Sequence, residues 1–132
     1  MDRGGAAVSL GVALALALAG ALGTLARYGV AMAMGPGGRL PWPTLVVNVL
    51  GAAAIGLVVA VCAARDAGRL RLVLATGFLG GFTTFSSLAL ESVQLLERRA
   101  WGPAAVYVGV TLVAGVAACA AGLWLGHALA RS

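Results

Sequence analysis

The chain has 132 residues, of which 61% are hydrophobic and only 10% charged, and its mean hydropathy is +1.02. That composition is an integral membrane protein's and leaves no soluble domain of useful size, so whatever the protein does happens within or across a bilayer. The net charge of +5 comes from arginine alone; it reports topology before it reports any acidic partner, and it argues against nucleic-acid binding.

A span needs about 20 predominantly apolar residues, and four runs qualify, at 6–28, 43–64, 72–96 and 103–130. The expected class is an all-α membrane protein, one domain over 1–132. If the N-terminus and the second loop share a side, that side carries Arg3, Arg65, Arg69, Arg71 and Arg131, against Arg39, Arg98 and Arg99 on the other. So small a bias orients a chain weakly and is compatible with insertion both ways round.

The first run opens like a signal peptide, with Arg3, an Ala/Leu core and small residues near Ala17 to Ala19. Its apolar stretch continues to Tyr28, too far for the usual h-region, so a first span is expected and not a cleaved leader. Gly20 and Thr24 form a small-xxx-small pair for close helix contact. Arg27 ends the run, either snorkelling to the headgroups or serving at a pore mouth. Gly35, Pro36, Gly37 and Gly38 then break the helix.

The second run places Thr44, Asn48 and Ala52 on one helical face, with Gly51 close by. An amide in hydrocarbon must be hydrogen-bonded, so Asn48 should face either another helix or a watery, ligand-bearing cavity. Arg65 to Arg71 form a short basic turn.

The third run contains the stretch around which the chain is organised, GFLGGFTTFSS at 77–87. Three glycines followed by Thr83, Thr84, Ser86 and Ser87 weaken helix propensity and offer local hydrogen bonds that compete with the helical ladder. A broken helix is expected there. At membrane depth, freed backbone is tolerated only when buried in protein or lining a polar cavity, which suggests an ion or substrate site. Beyond the break, Thr84, Ser87 and Glu91 fall on one face. Glu91, the only acidic residue well inside an apolar run, is either functional or paired with an arginine.

In the fourth run Tyr107 and Thr111 share a face, while Gly109, Gly115 and Gly122 permit a close neighbour. Trp101 and Trp124 read as interfacial anchors, and His127 as an interfacial residue. Cys62 and Cys119 lack metal-site spacing and read as small buried side chains. No P-loop, HExxH, GxSxG or Cys/His cluster occurs, so an enzyme is not expected.

The segments GTLARYG (23–29), VNVLG (47–51) and GFLGGFTTFSS, on successive spans, closely resemble those of the CrcB/Fluc family of small fluoride channels. The resemblance implies a four-helix subunit that inserts in both orientations and pairs as an antiparallel homodimer in the inner cell membrane, with two fluoride pathways along the subunit interface. It also implies a structural sodium ion at the dimer axis, held by backbone carbonyls that match Gly80 and Thr83. The pore asparagine matches Asn48. Of the family's FSxF phenylalanines only Phe85 is present, Leu88 taking the second place. Thr84, Ser87, Tyr107 and Thr111 match or neighbour a track of hydroxyls, Glu91 its acidic residue, and Arg27 the arginine near the wide mouth. The implied activity is passive fluoride export with no coupled ion. Two rivals are a proton-coupled exporter of the small multidrug resistance type, whose carboxylate normally lies on the first helix, and a non-transporting assembly subunit.

Overall fold

The computed structural model describes residues 9–131. Arg3 and the start of the first expected run, residues 6–8, lie outside the described residues. Within them every regular element is a helix. Helix α1, Leu10–Met34, is opened by Ser9, whose Oγ accepts from the Val12 N–H at 3.3 Å. It is closed by Gly35 at φ +69°, a left-handed stop that glycine adopts without strain. The helix therefore runs well past the expected end at residue 28, and Arg27 and Tyr28 sit inside it. Helix α2, Trp42–Ala64, carries Pro43 in its first turn, where the missing N–H has no helical partner to lose.

The third span is composite. Helix α3 (Gly68–Arg71) passes into a π-helical segment, Leu72–Leu79, and then into one short turn, α4 (Gly80–Phe82). Thr83 and Thr84 are extended, with ψ of 158° and 109°. Helix α5, Phe85–Glu97, follows with Thr84 as its N-cap, and α6 is Trp101–Arg131. Leu10–Met34, Trp42–Ala64, Gly68–Glu97 and Trp101–Arg131 are each long and apolar enough to cross a membrane. The shortest, with 23 residues, spans about 35 Å at 1.5 Å per residue, enough for a hydrocarbon core of about 30 Å. This is a multi-pass membrane protein.

Two close helix pairs hold the bundle: α2 lies along α6, and α1 along the π-helical segment and α4. Between α1 and the third span, a Cβ on Gly23 would strike the Phe78 carbonyl, and one on Gly81 the Gly20 carbonyl. Between α2 and α6, a Cβ on Gly56 would strike the Cys119 carbonyl, and one on Gly122 the Ala53 carbonyl. Lipid tails are as apolar as leucine, so dispersion at such backbone contacts, not hydrophobic burial, brings the helices together. Gly122 packs as its spacing suggests, but Gly109 and Gly115 meet nothing within 4 Å. The last helix packs chiefly along α2 and touches α5 as well, and those two glycines lie off both contact faces. Large side chains of α1 such as Leu14, Leu18 and Leu22 are exposed, at 55%, 68% and 60%, and must meet lipid or another subunit.

Candidate functional site

The extended residues of the third span are held from α2. Asn48 Nδ2 donates to the Thr84 carbonyl at 3.1 Å, and the Thr84 N–H donates to Asn48 Oδ1 at 2.8 Å. Of the two readings of Asn48, the contact made within this chain is thus to backbone on a neighbouring span. Thr84 Oγ1 in turn accepts from the Ser87 N–H at 3.1 Å, and its hydroxyl lies 3.1 Å from both Ser86 Oγ and Ser87 Oγ.

A second knot lies toward the α5–α6 turn. Glu91 Oε1 accepts from Thr44 Oγ1 at 2.9 Å, and its Oε2 from Tyr107 Oη at 2.5 Å. Each carboxylate oxygen therefore has a hydroxyl partner from a different helix, α2 and α6. Among the described residues no arginine is its partner, contrary to one sequence reading. Tyr107 is fully buried, so its ring packs in the core while its hydroxyl points at Glu91. Thr111 turns its hydroxyl back onto the Tyr107 carbonyl at 2.7 Å, which occupies its one proton within α6.

Arg27 reaches across to the third span rather than up toward headgroups: its Nε donates to the Gly81 carbonyl at 3.2 Å, an acceptor shared with Thr24 Oγ1 at 3.5 Å. A cavity of about 290 Å³ is lined by Arg27, Thr44, Thr84, Ser87 and Glu91, with Thr24 and Tyr28 at its wall. A larger opening of about 610 Å³, lined by Arg39, Gln94 and Arg98, shares Pro43, Thr44 and Glu91 with it. The two form one funnel, from an arginine-bearing rim at the α1–α2 loop down to the hydroxyls of Thr84 and Ser87. Tyr107 borders it only through Glu91, and Thr111 and Phe85 are not among its lining residues. Phe85 is 78% exposed, whereas Leu88, at the second expected ring position, is buried.

A separate concavity of about 300 Å³ is lined by Asn48, Gly51, Leu79, Gly80 and Thr83, among others. Gly80 and Thr83 thus line one hollow. Thr83 spends both its N–H and its hydroxyl on the Leu79 carbonyl, at 3.0 and 2.9 Å, so what it offers outward is its carbonyl oxygen. A site of neutral carbonyl oxygens suits a hard monovalent cation. The side chains legible least well from sequence were Thr44 and Thr24. Thr44 shares a helical face with Asn48, which was the available signal. The Gly81 carbonyl, as a backbone acceptor, gave none.

A family model described as CrcB-like protein, camphor resistance (CrcB), matches residues 14–123. The fluoride-specific ion channel FluC of Agrobacterium fabrum is 47% identical over 118 residues, covering 86% of this chain and 94% of the relative. The protein of the same name from Nitratidesulfovibrio vulgaris is 47% identical over 120 residues, covering 88% and 94%. That of Ruegeria sp. is 45% identical over 114 residues, covering 83% and 90%. With the match running from the first span into the fourth, this chain belongs to the CrcB family.

Proposed function

We propose that the chain is a fluoride-selective channel that lets fluoride leave a cell passively across the inner membrane. The observation that carries the reading is the funnel of arginines and hydroxyls, in a chain whose relatives are named fluoride-specific ion channels. Fluoride is small and strongly hydrated, so a pore must replace its water with compact donors set close together. Arg39 and Arg98 at the rim and Arg27 below raise the local anion concentration. Ser87 then offers its hydroxyl proton, since Thr84 gives its own to Ser87 Oγ, and Asn48 retains a second amide N–H beyond the one given to Thr84. Glu91 does not repel the anion unopposed, because a hydroxyl dipole points its positive end at each of its oxygens.

The working unit in this reading is an antiparallel homodimer of dual topology, with a discontinuous third helix at its centre. The exposed Phe85 ring supports this: on one chain it faces outward, and a partner subunit would bring its positive edge to an anion path. Leu88 cannot add a second such edge. Sodium, held by the Gly80 and Thr83 carbonyls, would supply a fixed positive charge beside the two anion routes.

The test is efflux from liposomes holding the purified protein. Rapid fluoride loss, retained chloride and indifference to an imposed proton gradient are expected, with flux falling in Ser87→Ala. Flux that follows the proton gradient would favour the exporter, and no flux from a folded dimer would overturn the reading.

A further inference from the structure

In an uninterrupted helix the N–H of Thr84 would bond the carbonyl of Gly80, and the N–H of Ser87 that of Thr83, each four residues back. Neither bond is made. The Thr84 N–H goes to Asn48 Oδ1 at 2.8 Å, and the Ser87 N–H goes to Thr84 Oγ1 at 3.1 Å. The two carbonyls released by these diversions are those of Gly80 and Thr83. Both residues line the same hollow, and Asn48 is part of its wall.

From this we infer that Asn48 and the Thr84 hydroxyl are positioning residues for the cation: each captures one backbone N–H and thereby frees one carbonyl oxygen to coordinate. The inference rests on the proposed sodium site. It gives Asn48 a second task besides meeting the anion. The amide is fixed in orientation, since the Thr84 N–H requires an acceptor and its carbonyl a donor. One side chain therefore links the cation hollow to the residue, Thr84, that lines the anion cavity. Of the two carbonyls between those of Gly80 and Thr83, that of Gly81 is taken up by Arg27 and Thr24.

Sodium affinity can be read without any transport assay, from the rise in thermal midpoint of the detergent-solubilised protein as sodium replaces N-methylglucamine. Loss of a residue that orients a ligand commonly weakens metal binding by about 10–100-fold, and that loss is expected for Asn48→Leu, whose side chain cannot hold the Thr84 N–H. The same loss is expected for Thr84→Val, whereas Thr84→Ser, which keeps the accepting hydroxyl, should bind sodium as the parent does. Amide exchange at Thr84 should also change in Asn48→Leu, as its N–H finds Gly80. If Asn48→Leu lost fluoride flux but bound sodium normally, Asn48 would be an anion contact only and the inference would fall. If that variant did not fold, Thr84→Val would decide: unchanged sodium affinity there overturns the inference. A parent protein whose midpoint ignores sodium would instead remove the cation site itself, and the inference with it.

Discussion

At the scale of single residues, the chemistry turns on side chains that serve backbone or one another before they serve an ion. Glu91 is the centre of one such set. Tyr107→Phe removes the 2.5 Å bond to Oε2 and leaves that oxygen without its hydroxyl partner. The expected cost is about 1 kcal/mol of stability, typical of interhelical bonds in membranes, with a larger proportional loss of fluoride flux. A double-mutant cycle with Thr44→Val, read by unfolding in detergent, should show coupling, because both hydroxyls act on one carboxylate. Arg27 acts at longer range as well as through Gly81. In Arg27→Gln fluoride efflux should fall several-fold at low ionic strength. The deficit should shrink as an inert salt is added, since screening removes the attraction that the parent enjoys. A deficit independent of salt would assign Arg27 to holding the third span alone.

At the scale of elements, glycine decides how near two helices come. Gly122→Leu would drive a side chain into the Ala53 carbonyl, a collision with backbone that cannot rotate away. Overpacking of this kind costs about 1–3 kcal/mol or more, and the variant should yield little folded protein. Gly115→Ala, on the same helix but with nothing within 4 Å, should instead be neutral or gain up to about 1 kcal/mol from helix propensity. Thermal unfolding of the two variants side by side checks the contrast. The third span follows the opposite logic. Its π-helical turns and extended threonines give up helical hydrogen bonds, and the losses are made good by Asn48, Arg27 and the Thr84 cap, as irregular backbone at membrane depth requires.

At the scale of the whole molecule, one subunit leaves much apolar surface uncovered: Leu14, Leu18 and Leu22 on α1, Phe85 on α5 and Val113 and Val116 on α6 are all more than half exposed. Lipid covers much of this, and the proposed homodimer covers the rest. Because the arginine balance between the two sides is slight, single cysteines at Gly38 in a Cys62→Ala/Cys119→Ala background should be labelled by an impermeant reagent in roughly half of the molecules from each side of a sealed vesicle. Labelling from one side alone would exclude dual topology. Cross-linking through Phe85→Cys should trap dimers in the membrane, and trapping of monomers only would remove the interface assigned to that face.

The sequence by itself determined what depends on composition and local pattern. Four apolar runs, the glycine and hydroxyl cluster at 77–87 and the family signature all follow from residue type and spacing, because a bilayer tolerates few backbone solutions. It also brought forward the residues of the candidate site, Arg27, Asn48, Thr84, Ser87, Glu91 and Tyr107, since polar groups in hydrocarbon are conspicuous. Who bonds whom was left to the tertiary structure. That α1 runs on to Met34, that Glu91 is answered by Thr44 and Tyr107 rather than an arginine, that Thr111 bonds its own helix, and that Phe85 faces outward all depend on rotations about helix axes. Those rotations are set by which glycines meet across an interface, a property of helix pairs that no single stretch of sequence contains.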